Sequence, residues 1–201
     1  RINTLSKPKV ALLLSGQPRY VRQCFPLIKQ NIIDQADTDV FCQVWRPNPE
    51  IPSKFSTDTV DPKWVGYQPS EADLEAVKTL YRPKGYVEMD QIDFASQSEI
   101  NIGDSINKYY QGIKDASSED KKAYAKVMVR NSLSMFAGIK AVHDIYKNCV
   151  RMAGIKYDFI ARTRYDLIPT RPIDFNSLQC VGVAYEEMGQ PDGMISDWLN
   201  I

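Results

Sequence analysis

Histidine is nearly absent from this chain of 201 residues: His143 stands alone. The four cysteines, Cys24, Cys42, Cys149 and Cys180, form no CxxC pair. Together these absences leave zinc chemistry and a Ser–His–Asp hydrolase without support. A lone histidine inside a helical stretch reads as structural. Net charge is missing too, with 25 Lys and Arg against 25 Asp and Glu. A general nucleic-acid binder would carry a basic excess, so nucleic acid is not expected as a partner. No apolar run is long enough to span a bilayer, so no transmembrane segment is expected. The polar start and the short first apolar run do not make a signal peptide. Neither GxxxxGK[ST] nor GxGxxG occurs, and no internal repeat is visible.

What remains is ordinary in composition, 43% apolar and 25% charged, and sized for one domain. We expect a single domain over 1–201, open to truncation at the carboxyl end because the chain starts at Arg1 and stops at Ile201 within a patterned segment. Three of the cysteines lie in apolar periodic stretches, where a thiol acts as a small hydrophobe. Reduced core thiols imply a reducing, cytoplasmic location.

Val10–Leu14 is a continuous apolar run ended by Ser15-Gly16, as suits a strand buried on both faces. Pro18 then opens a helix expected over Arg19–Ile33. Asp39–Trp45 reads as a second strand, followed by a loop over 46–69 that holds five of the twelve prolines. Ser70-Glu-Ala-Asp73 resembles a capping box and starts a helix that Pro83 ends after Tyr81. Gly85–Met89 is a third strand, and 91–122 shows no clear period. The stripe Val129, Leu133, Phe136, Ile139, Val142, Tyr146 and Cys149 predicts a helix over 122–150. Small residues run beside it: Ser134, Ala137, Gly138 and Ala141. Tyr157–Arg164 and Gln179–Tyr185 read as strands, and 190–201 as a turn and short helix. Strands alternating with helices predict an α/β fold with a mostly parallel central sheet and helices on both faces.

In such sheets ligands bind beyond the carboxyl ends of the strands. There the chain places Ser15-Gly16-Gln17-Pro18-Arg19, then Arg46, then Arg164 and Asp166. Alternation puts Arg162 and Arg164 on one pleat of a strand expected to be interior. Buried guanidinium groups need compensation, and a diphosphate would supply it. Pairing with carboxylates of neighbouring helices is an equally good explanation. Asp166 could hold Mn²⁺ or Mg²⁺ bridging the same phosphates. Gly16 lets a ligand approach the backbone, the following helix start favours anions, and Gln17 could read a nucleobase edge. A plain strand-to-helix turn would look the same. Arg130, read as opening the long helix with Asn131, is a phosphate or sugar contact or simply a solvated arginine. Asp192 in Pro-Asp-Gly reads as a turn residue and Glu186-Glu187 as surface. Asp197, next to Trp198, is the better candidate for a general base.

Taken together, these segments resemble GT-A-type glycosyltransferases of bacteria and viruses, including the WavE-like lipopolysaccharide-synthesis group. The resemblance runs through Val10–Arg19, Val40–Trp45, Tyr81–Lys84, Asn131–Met135 and above all Tyr157–Asp166. It implies a Rossmann-like GT-A fold, a nucleotide-diphosphate sugar donor and a glycan acceptor. Ser15, Gly16, Gln17, Arg19, Arg130, Arg162 and Arg164 would then contact the donor. Arg162 and Arg164 would stabilise the leaving diphosphate, and Asp197 would deprotonate the acceptor if the reaction inverts. The Asp-x-Asp motif of such enzymes is represented by Arg164-Tyr165-Asp166, which keeps one carboxylate. Either Asp166 binds the metal with water and phosphate, or arginines replace the cation. A sugar nucleotidyltransferase and a non-catalytic nucleotide- or carbohydrate-binding domain are the competing readings.

Overall fold

The run Val10–Leu14 lies inside strand β1 (Lys9–Gly16) and is shielded on both faces. A computed structural model describes residues 7–46, 69–90, 118–178 and 188–189, with the backbone alone for 118–132 and 188–189. β1 pairs in parallel with β2 (Asp37–Trp45) on one side and β4 (Phe159–Thr163) on the other. β2 in turn pairs in parallel with β3 (Gly85–Met89), giving the order β3-β2-β1-β4. The sheet is therefore α/β and, among the described residues, wholly parallel. Ile168–Pro169 (β5) and Met188–Gly189 (β6) form a separate antiparallel pair that the sequence pattern does not announce.

Alternation sorts the core into two layers. Val10, Leu12, Leu14, Val40, Cys42 and Val44 face helices α1 (Val21–Asn31) and α2 (Glu71–Tyr81), meeting Val21, Ile28, Leu74, Val77 and Tyr81. Ala11, Leu13 and Phe41 face helix α3 (Ser118–Ala153) through Val142, with Ile145, Tyr146, Cys149 and Tyr157 around them. Helices thus cover both faces, as a parallel sheet requires. Burial of this apolar surface, at about 25 cal/mol per Å², is the main stabilising term.

Local signals account for the helix ends. Ser70 Oγ accepts from the Asp73 backbone N–H while the Asp73 carboxylate accepts from the Ser70 backbone N–H at 2.8 Å, so the capping box is complete. α1 begins at Val21, two residues after the expected start, because Tyr20 adopts a left-handed φ of 52° that no helix can include. Cys24, Cys42 and Cys149 are free thiols, as expected of core cysteines.

α3 has 36 residues and spans about 54 Å, far longer than any strand it covers. Gly138 already rests on Gln43 near the carboxyl end of β2, so the first half of the helix extends past that edge of the sheet. Further down, Gly85 permits the contact between β3 and α3: a Cβ there would overlap Ile145 Cγ2 and touch Phe41 Cδ1 at 3.0 Å. Gly85→Ala is expected to cost about 1–3 kcal/mol by overpacking, read as a lower urea midpoint with an unchanged slope. An unshifted midpoint would show that α3 does not press on β3 at this point.

Candidate functional site

The strand order reverses between β1 and β4, since the chain moves from β1 outward to β3 and then returns to the opposite side of β1. Ligand crevices in open parallel sheets form at such a reversal, beyond the carboxyl ends of the strands. Two segments meet there. The first is Ser15-Gly16-Gln17-Pro18-Arg19, leading into α1. Gly16 has a φ of 124°, a conformation natural to glycine, and so swings the chain out of the strand. The amino end of α1 carries no side-chain cap and no acidic residue in its first turn. Its amide groups and dipole are therefore disposed toward an anion.

The second segment is Arg162–Asp166. β4 stops at Thr163, so the two arginines do not continue along one pleat. Arg162 is in register with Leu13 and lies on the α3 face. Arg164 sits beyond the strand and donates to Asp166 through two parallel bonds, Nε to Oδ1 at 2.9 Å and a terminal nitrogen to Oδ2 at 2.7 Å. The Asp166 charge is felt at Tyr20 and Cys24, where with burial it helps push both groups' pKa values up. The pair thus lies toward the start of α1. Among the described residues β4 is the last strand of the sheet; the expected strand at Gln179–Tyr185 lies outside them.

Arg162 is half-buried and has no hydrogen-bond or ion-pair partner among the described residues. Burial alone lowers its pKa, with no carboxylate opposing the shift. The alternative, in which carboxylates of neighbouring helices pair with the arginines, is seen for neither among the described residues: Arg164 takes Asp166 from its own turn, and Arg162 takes none.

Two residues passed over in the sequence organise this edge. Tyr165 is fully buried, and its hydroxyl donates to the Gln43 carbonyl at 2.9 Å, with the Leu14 carbonyl at 3.4 Å. The phenol ties the turn bearing Arg164 and Asp166 to the ends of β1 and β2. Gln43, also fully buried, accepts from the Gly16 N–H through Oε1 at 3.0 Å. It fits under α3 because Gly138 has no side chain: a Cβ there would stand 2.6 Å from Gln43 Oε1. The signal for Gln43 was a polar residue between Cys42 and Val44 in an otherwise apolar strand.

No known protein family matches this chain, nor does any curated protein or solved structure. The assignment of function therefore rests on the geometry.

The structure brings Ser15, Gly16, Gln17, Arg19, Arg162, Arg164 and Asp166 to one edge of the sheet. Arg130 does not open α3, which starts at Ser118; it falls in the part described by backbone alone. Asp192, Asp197, Trp198 and Glu186-Glu187 lie outside the described residues, as do the expected strand at Gln179–Tyr185 and the helix at 190–201. A divalent cation fits the described residues poorly. They contribute one carboxylate, both oxygens of which accept from Arg164, and no three His, Cys, Asp or Glu side chains come together among them. No helix among the described residues is long and apolar enough to cross a membrane.

Proposed function

We propose that this chain is the nucleotide-sugar-binding domain of a glycosyltransferase with a Rossmann-like GT-A fold, transferring sugar from a nucleotide-diphosphate donor to a glycan hydroxyl. The observation that carries the reading is the convergence, at the β1–β4 reversal, of the uncapped start of α1 with Arg164 and Asp166. The diphosphate lies against the α1 amides and Arg19, near Gly16 and Gln17. Arg164 exchanges Asp166 for phosphate oxygens, since guanidinium matches either anion in the same two-pronged way. The positive charge then sits where negative charge develops as the nucleoside diphosphate departs. Asp197 remains the candidate base for an inverting reaction. Because the described residues bring only one carboxylate to the site, guanidinium groups supply the charge that Mn²⁺ or Mg²⁺ supplies elsewhere.

Thermal unfolding with UDP, GDP, CDP and dTDP, each with Mn²⁺ or with EDTA, tests this. One nucleotide is expected to stabilise the chain by roughly 2.7 kcal/mol at 100 times its Kd, with EDTA present. Arg164→Ala is expected to abolish the shift. If the shift persists undiminished in that variant, Arg164 is not a ligand contact and the site assignment fails. Release of nucleoside diphosphate from a nucleotide sugar, without pyrophosphate, separates transfer from nucleotidyl chemistry. Binding without any such release would favour a non-catalytic domain.

A further inference from the structure

On the α3 face of the sheet, toward the same strand ends, three hydrogen-bond donors have nothing to donate to among the described residues. Ser134 is 3% exposed and its hydroxyl has no partner; Gln43 is fully buried and its Nε2 has none. Neither the Ser134 hydroxyl nor the Gln43 amide nitrogen is bonded by any other group among the described residues. They are neighbours, because Gly138 lies on the Gln43 carboxamide and Ser134 is one turn before Gly138 on the same helix face. Arg162 lies on this face too, across β1 from Phe41 and so two residues short of Gln43 along the strands, and is likewise without a counter-ion among the described residues.

Unsatisfied donors in a buried setting are costly and rare, and native sites that keep them commonly serve a ligand or water. A water would satisfy the hydroxyl and the amide, but it would leave the charge of Arg162 unbalanced. A neutral sugar hydroxyl meets the same objection. Gln43 Oε1 is already committed to Gly16, so the group offers donors and positive charge and few free acceptors. That combination suits a compact planar anion. A carboxylate is such an anion and pairs with guanidinium through two bonds.

We propose that Arg162, Ser134 and Gln43 form a carboxylate-reading subsite, and that the sugar handled by this domain is an acidic one of the uronic class. This rests on the glycosyltransferase reading and adds the substrate class to it. Arg164 and the start of α1 hold the diphosphate; Arg162 on the opposite face of the sheet reads the sugar.

Titration with glucuronate and with glucose, each with and without saturating UDP, tests the subsite by ligand-observed NMR. Glucuronate is expected to bind at least roughly tenfold tighter than glucose. Arg162→Ala is expected to remove that preference and Arg162→Lys to restore it in part, since lysine keeps the charge and loses the fork. Ser134→Ala supplies a readout that a structural role would not produce. Deleting an unpaired buried hydroxyl leaves the unliganded melting temperature unchanged or raised, while glucuronate affinity falls several-fold. Equal affinity for the two sugars, undetectable glucuronate binding, or a preference that survives Arg162→Ala overturns the inference. So does a lower melting temperature in Ser134→Ala without change in affinity. If a nucleoside diphosphate still stabilises the chain through Arg164, only the subsite falls; if none does, the functional reading falls first.

Discussion

Replacing Tyr165 with alanine is expected to lower the unfolding free energy by about 3–5 kcal/mol, the range for removing a large aromatic from a packed core. The ring is fully buried and meets Tyr81 edge-on, with centroids 6.0 Å apart. In a chain of this length that loss shifts the melting temperature by roughly 10 °C. Tyr165→Phe keeps the packing and removes the hydroxyl's bonds to the Gln43 and Leu14 carbonyls, so its expected cost is about 1 kcal/mol. The pair of variants separates packing from tethering. The tether has its own consequence, because the turn it holds carries Arg164 and Asp166. Tyr165→Phe is therefore expected to weaken nucleotide stabilisation more than its small loss of stability would suggest. An alanine variant as stable as the parent would mean that the phenol does not fill the core between β1, β2 and α2.

Tyr165 also marks the boundary of what the sequence reveals. Elements encoded by neighbours in the chain are legible. β3 falls at Gly85–Met89 because an isolated Tyr-Val-Glu-Met run is bounded by proline and glycine on one side. α2 starts where the Ser70–Asp73 pair says it must, since a capping box is complete within four residues. The small-residue strip on α3 is visible in the sequence, and the structure shows what one member of it permits, the close approach of the Gln43 carboxamide beneath Gly138. The parallel α/β class follows from the alternation of strands and helices.

Properties set by distant residues are not legible. Whether β4 is interior or at an edge depends on strand order, and strand order depends on where crossover helices land. Hence the arginines of this strand were expected to face one another's ligand from a shared pleat, whereas the strand ends between them. The Arg164–Asp166 pair forms in the turn beyond β4, and a reading that extends the strand through Arg164 toward a ligand hides it. The late start of α1 has a similar origin. Pro18 is compatible with a first helical turn, but the Tyr20 backbone takes a left-handed conformation and delays the helix. Gln43 was invisible as a site residue because a glutamine in an apolar strand says only that something must satisfy it. Its partner, the Gly16 N–H, lies 27 residues away.

Raising the pH should unfold this protein well before its lysines have all lost their charge. Burial pushes the Cys24 thiol up to about 11 and the Cys42 thiol up to about 12, from an ordinary value of 9.0. Tyr81, Tyr86, Tyr157 and Tyr165 are also raised, chiefly by burial. In each case the folded state favours the neutral, protonated form. Above about pH 9 the unfolded chain releases protons that the folded chain retains, so stability falls as pH rises. Each such group contributes a slope of up to about 1.4 kcal/mol per pH unit, and two thiols acting together remove several kcal/mol between pH 9 and 11. Typical domains have only about 5–15 kcal/mol to lose. Urea midpoints measured from pH 7 to 11 are therefore expected to be flat up to about pH 8.5 and then to drop steeply. Cys24→Ala with Cys42→Ala should flatten the first part of that drop and leave the later, tyrosine-driven part. A midpoint that holds to pH 11, or a double variant with the parent's profile, would show that these thiols are not sealed between the sheet and α1 and α2. Below pH 9 the same burial keeps both sulfurs protonated, so thiol reagents should reach them only through unfolding. The alkaline limit and the inertness of the thiols therefore share one physical cause, the dry layer on the side of the sheet opposite α3.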